Sequence, residues 1–145
     1  MPGYLEWSIK LSLLMYVTSA PGGRLETDGV TSDRGRFRFP LLGDAGPDDS
    51  AWEFGGSVRL FGHYGSFITE LSGLRLEQQG AEATLSFRPS GAEAAIPAFR
   101  ATAAAGTAER REYAPVVLRA EGVAAFGDHY RADELFDPMS VVFGG

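Results

Sequence analysis

The sequence predicts a mainly β protein: an antiparallel β-sandwich with an N-terminal α-helix packed on it. Three observations carry that expectation. Short stretches of alternating apolar and polar residues recur from residue 36 onward, separated by turns rich in Gly and Pro. One strong stripe of apolar residues at four-residue spacing opens the chain. Strands do not alternate with helices, so a parallel α/β sheet is excluded.

The opening stretch, Tyr4 to Val17, reads as a helix of about four turns. Leu5, Ile9 and Leu13 fall on one stripe that can face a core, and Ser8, Ser12 and Tyr16 form a second row beside it. Thr18-Ser19 and then Pro21-Gly22-Gly23 stop the helix, which leaves Tyr16 in its last turn. From Ser19 to Gly35 the composition becomes that of a loop, with at most a poorly formed strand around Val30. Arg36 to Leu42 alternates as a half-buried strand that Pro40 confines to an edge or an end. Gly43 to Ser50 is a turn cluster. Trp52 to Phe61 is a strand with a bulge expected at Gly55-Gly56. A short strand, Phe67 to Leu71, precedes a hairpin formed by Leu74 to Gln79 and Ala81 to Phe87. Residues 92–112 are rich in alanine but broken by Pro97 and Gly106, and read as irregular structure or strand. Ala114 to Ala120 and Ser140 to Phe143 are valine-rich strands, joined by a long connection with a turn at Asp137-Pro138. With no internal repeat and no linker, the 145 residues are expected to form a single domain, 1–145.

Composition narrows the chemistry. The chain is 44% hydrophobic and 22% charged, ordinary for a folded domain, and its net charge of −6 gives no electrostatic case for binding nucleic acid or an anionic membrane. The absence of cysteine excludes disulfides, thiolate-ligated haem, iron–sulfur clusters and cysteine nucleophiles. Two histidines, His63 and His129, are too few for a multi-histidine metal site. No stretch approaches the roughly 20 apolar residues of a membrane-spanning helix. Glu6 offsets Lys10 ahead of the apolar run Leu11–Val17, which argues against a secretory leader.

Spacing alone allows Tyr16 to be a buried phenol satisfied by a carbonyl. The wording of three stretches points further. Trp7-Ser8-Ile9-Lys10 followed by Ser12 and Tyr16-Val17, then Gly55-Gly56-Ser57-Val58-Arg59-Leu60-Phe61-Gly62-His63-Tyr64-Gly65, then Phe126 to Phe143, together resemble the HtaA-type haem-transport-associated domain of bacterial haem-uptake proteins. The hairpin between Gly73 and Phe87 fits the middle of that family, so the resemblance spans nearly the whole chain.

That resemblance implies a β-sandwich with short helices, binding ferric haem b. It implies that Tyr16 ligates the iron, that His63 hydrogen-bonds the ligating phenol, and that Ser12 contacts a propionate. A phenol ionises near 10 and is a poor ligand when neutral; ferric iron and a hydrogen-bond donor at the oxygen both favour the phenolate. Phenolate is a hard anion, so such a site holds Fe(III) in preference to Fe(II). Leu13-Leu14 stands where the family often has Phe-Arg, a change in the pocket wall or in propionate pairing. His129 matches no site residue of the family and is read as a surface-loop histidine.

Three functions stay open at this level. The first is a haem carrier for transport or transfer, with a haem donor or acceptor protein as partner. The second is a haem-dependent enzyme of peroxidase or oxygenase type, using the same tyrosinate-ligated haem with an open sixth position. The third is a haem-free interaction module, against which the joint presence of Tyr16, His63 and Ser12 counts. The sequence as written is expected to be cytoplasmic, or extracellular and cell-surface if it is an excised module of a larger uptake protein. Its oligomeric state is not legible.

Overall fold

The structure, a computed structural model, describes residues 3–104 and 106–144. Met1, Pro2 and Gly145 at the bounds of the expected domain, and Ala105 within the 92–112 stretch, lie outside the described residues. The elements are β1 (Tyr4–Trp7), α1 (Leu11–Ser19), β2 (Arg24–Asp28), β3 (Thr31–Asp33), β4 (Arg36–Leu42), β5 (Ala51–Phe61), β6 (Phe67–Gln79), β7 (Glu82–Arg88), β8 (Ile96–Ala103), β9 (Arg110–Leu118), β10 (Leu135–Phe136) and β11 (Met139–Val142). Single 3-10 turns occur at His63–Gly65, Ala120–Gly122 and Ala124–Phe126.

The protein is mainly β, as the alternation predicts, but its strands make one sheet that closes on itself instead of two facing sheets. Antiparallel neighbours run β5-β6-β7-β8-β9-β11-β1-β4, and β4 returns to β5 through Leu41 opposite Phe54 and Leu42 opposite Glu53. The result is an eight-stranded barrel-like sheet, with β2 and β3 attached at its margin and β10 on β9. Closure removes most of the unpaired edge an open sheet would expose. Inward-facing large residues fill the interior, which is a packed core. Phe99 is its centre: its ring lies 5.0 Å from Trp7, 4.9 Å from Phe136 and 5.9 Å from Phe126, all edge-on. Both indole N–H groups are satisfied, Trp7 donating to the Asp137 carbonyl at 2.8 Å and Trp52 to that of Gly46 at 2.9 Å.

The main departure from expectation is at the start of the chain. Tyr4–Trp7 is a strand paired with β4 on one side and β11 on the other, and only Leu11–Ser19 is helical. Leu5 and Trp7 point into the barrel, while Glu6 between them lies on the outer side of the strand. Ser8 therefore lies outside the helix, and the row of Ser8, Ser12 and Tyr16 is cut to its last two members. Strand becomes helix at Ile9, which is fully buried and held at φ +64°. A non-glycine residue in that region costs roughly 1–3 kcal/mol and persists only where its surroundings impose it. Asp137 does so: its N–H donates to the Ile9 carbonyl at 2.8 Å, its carboxylate accepts the free Leu11 N–H at 3.2 Å, and its carbonyl receives the Trp7 indole. The direction of α1 is thereby set from the far end of the chain.

The remaining elements follow the pattern with adjustments. Phe67–Leu71 and Leu74–Gln79 are one long strand, β6, jogged where Gly73 takes φ +60°. The bulge expected at Gly55-Gly56 is present as a register shift between Phe54 and Ser57. Much of 92–112 is strand, in β8 and the start of β9, and the expected loop 19–35 contains the exposed strands β2 and β3. Among the described residues no helix is long and apolar enough to cross a membrane.

On the outer face Arg38 and Ser140 flank Glu6 across β4 and β11, and Glu112 lies beyond Ser140 on β9. Arg38 meets the Glu6 carboxylate at 3.0 Å and Arg110 at 3.4 Å, while the Ser140 hydroxyl donates to Glu112 at 2.6 Å. The Ser140 hydrogen bond first, and Arg110 second, hold the Glu112 carboxyl below its ordinary value. A depressed folded-state pKa contributes stability above the unfolded value and loses it as pH falls through the folded one. Ser140→Ala is accordingly expected to lower thermal stability at neutral pH, with the difference from wild type shrinking below about pH 4.3. Melting curves of the two proteins across pH 3–7 (roughly the carboxylate range and above) check it, and a pH-independent difference would show that the carboxylate is not involved.

Candidate functional site

Helix α1 buries Leu13, Leu14 and Val17 against the sheet, and the same turn of helix leaves Tyr16 47% exposed at its margin. The ring is directed by a tight approach to the β5–β6 corner: a Cβ on Gly62 would stand 3.2 Å from both Tyr16 Cε2 and Tyr16 Oη. Glycine at 62 thus leaves the room that the phenol occupies. At that corner the His63 peptide N–H donates to Tyr16 Oη at 3.2 Å.

The corner is itself clamped. Tyr64 takes φ +57° and donates its N–H to the Pro21 carbonyl at 2.7 Å, which fixes the turn His63–Gly65 against the end of the α1–β2 connection. Gly22, at φ +78°, fits beneath it, where a Cβ would come within 2.9 Å of Tyr64 Cα. Strain of this kind concentrates where a fold positions a site.

Leu13, Tyr16, Gly62, His63, Ser66, Phe67, Ile68, His129 and Tyr130 line one cleft of about 480 Å³. That volume lies in the range of small-molecule and cofactor sites, roughly 300–1,000 Å³. Its walls are largely aliphatic and aromatic, and three groups able to bind a metal or donate a hydrogen bond enter it: one phenol and two imidazoles. Tyr130 is anchored from behind by Phe136, 5.4 Å away, and by Lys10, whose ammonium lies 5.6 Å from its ring and bonds the Leu135 carbonyl at 2.7 Å. Burial, and secondarily Glu134, push the Tyr130 phenol above its ordinary value, so it remains a neutral wall of the cleft.

The structure brings Tyr16 and His63 together, but through the His63 peptide group. The imidazole lies against the Tyr64 ring, centroids 4.0 Å apart. Ser12 sits one turn before Tyr16 on α1, exposed, and is not among the residues lining the cleft. His129, read from the sequence as a surface-loop residue, is exposed but lines the cleft with Tyr16. Gly62 and Tyr130 were not singled out by sequence reasoning; Gly62 was visible only as part of Gly-His-Tyr-Gly, and nothing local marks Tyr130. Among the described residues no three His, Asp or Glu side chains converge as they would on a bare ion. The donor set suits a metal that brings its own equatorial ligands inside an apolar macrocycle.

Comparison with known proteins agrees with this fold. The crystal structure of the C-terminal domain of HtaA from Corynebacterium glutamicum superposes with a TM-score of 0.80 at 22% identity, covering 99% of this chain and 98% of that one. The N-terminal domain of the same protein gives 0.77 at 21%, covering 100% and 98%. The heme-binding protein HtaB from the same organism gives 0.71 at 20%, covering 97% and 92%. No curated protein matches the chain. The HtaA family model, described as Htaa, matches residues 2–142, and the chain belongs to that family.

Proposed function

We propose that this chain binds ferric haem b through the Tyr16 phenolate and carries it between a donor and an acceptor protein. One observation supports this above the others: a half-exposed phenol, already accepting a peptide N–H at 3.2 Å, stands in an apolar cleft of about 480 Å³. The heme-binding protein HtaB shares the fold. Bound haem supplies the ferric iron; the chain supplies an anionic oxygen, apolar walls and a hydrogen bond. That bond, from the His63 peptide N–H, stabilises charge on the oxygen by about 1.5–3 kcal/mol. Leu13, Phe67 and Ile68 exclude water from the porphyrin faces. Ser12, exposed one helical turn away, is available to a propionate. With Tyr16 close to half exposed, the cleft favours exchange of cargo over permanent retention.

Titration with ferric haem tests the reading, with one equivalent per chain and phenolate-to-iron charge-transfer absorption as the expected result. Transfer to apo-myoglobin, accelerated by dithionite because Fe(II) binds anionic oxygen poorly, tests the carrier role. A protein that takes up haem but neither releases it to apo-myoglobin nor responds to reduction would refute that role. Gly62→Ala offers a graded test. Its φ of −97° tolerates alanine, so the fold should hold, but the new methyl presses on the phenol. Affinity is expected to fall roughly 10–100-fold, the effect typical of disturbing a ligand's support. Affinity equal to wild type would mean that the phenol does not need its present position.

A further inference from the structure

We propose that His129 is the second axial ligand of the haem iron, on the face opposite Tyr16, so that this chain holds its cargo six-coordinate. The inference rests on the functional reading above and adds to it a named residue from the far end of the chain.

Three features of the cleft point to His129. First, it and Tyr16 line the same cavity although they belong to segments remote in sequence, α1 and the turn that follows the Ala124–Phe126 segment. An axial pair has to come from two such separate walls, because neighbouring residues cannot reach both faces of a porphyrin. Second, its presentation is built. Gly127 at φ +66° and Asp128 at φ +60° are two successive left-handed residues, and their N–H groups bond the carbonyls of Ala124 at 3.1 Å and Val123 at 3.2 Å. This reverses the chain after the buried Phe126, and the His129 N–H returns to the Phe126 carbonyl at 3.3 Å. The imidazole lies over Gly127, where a Cβ would stand 3.2 Å from His129 Cδ2 and 3.4 Å from Nε2. Third, among the described residues neither imidazole nitrogen of His129 makes a hydrogen bond to the protein, so a nitrogen lone pair is free for a metal.

The other candidates for that face are excluded by their packing. His63 is committed to the Tyr16 side, since its own peptide N–H touches the phenol oxygen. The Tyr130 ring is held in the aromatic cluster with Phe126 and Phe136. His129 is the lining residue that combines a metal-ligating atom with freedom to reach the iron. A ligand there also occupies the position that a peroxide or an oxidisable substrate would need, which favours the carrier over the enzyme.

The test uses the haem-loaded protein and reads spin state by electron paramagnetic resonance and absorption. Wild type is expected to be low-spin ferric. His129→Ala and the similarly sized His129→Gln are expected to be high-spin while keeping the phenolate band, with transfer to apo-myoglobin roughly tenfold faster or more. Added imidazole should restore the low-spin spectrum of His129→Ala, and far-ultraviolet circular dichroism should show both variants folded. A high-spin wild type, or a low-spin spectrum unchanged in both folded variants, overturns the proposal and leaves the assignment of Tyr16 standing. Loss of the phenolate band in Tyr16→Phe with the His129 signature retained would instead show the Tyr16 assignment sound. A wild-type protein that binds no haem overturns the functional reading and this inference with it.

Discussion

Tyr16→Phe is expected to abolish the phenolate-to-iron charge-transfer absorption and to lower ferric haem affinity by more than the roughly 10–100-fold that loss of a supporting contact costs. The substitution removes one oxygen and keeps the ring, so the walls of the cleft persist. The phenol takes no hydrogen bond that the fold depends on: its one partner is the His63 N–H at a solvent-exposed corner, which water can satisfy. Thermal stability should therefore stay within about 1 kcal/mol of wild type, the net value of one ordinary hydrogen bond. Haem titration followed by absorption, beside a melting curve, separates the two effects. Unchanged affinity and spectrum in a folded Tyr16→Phe protein would remove the phenol from the site.

Phe99→Ala is expected to have the opposite profile, a large loss of stability with no direct loss of a ligand. Phe99 is fully buried, and its ring contacts Trp7, Phe126 and Phe136 at centroid distances of 5.0, 5.9 and 4.9 Å. Truncating such a residue costs about 3–5 kcal/mol, because the transfer free energy is lost and the cavity closes only in part. For a chain of this size that is a fall in Tm of roughly 10–20 °C. The effect should reach the cleft indirectly, because Phe126 and Phe136 support Tyr130 and the turn bearing His129. Calorimetry of Phe99→Ala provides the measurement. A shift of only a few degrees would mean that the barrel repacks around the gap.

The strands with one buried face were legible because their pattern has a period of two and no competitor. Arg36–Leu42 is β4 as the alternation predicts, and the hairpin of β6 and β7 lies where its two apolar faces predict it. The opening stretch shows how the same logic misleads. Leu5, Ile9 and Leu13 are four apart, and four is both close to one helical turn and two strand repeats. The stripe was therefore compatible with either element. The alternation of Leu5, Glu6 and Trp7 carried the decisive signal, and the partners that make it a strand, β4 and β11, lie far along the chain. The strands β2 and β3 left no pattern to read, being almost wholly exposed.

By itself the sequence determined the strand-rich class, most of the turn positions, the resemblance to the HtaA family and the candidacy of Tyr16, since each rests on residue type and local spacing. Tertiary structure alone decided that the sheet closes. That depends on two residue pairs, Leu41 with Phe54 and Leu42 with Glu53, and alternation says which face is buried without saying which strands are neighbours. It also decided that Asp137 sets the direction of α1, that the peptide group of His63 meets the phenol, and that His129 shares the cleft with Tyr16. These contacts join segments remote in the chain, and no local spacing encodes them. They exist only once the packed core brings the two ends of the sequence together.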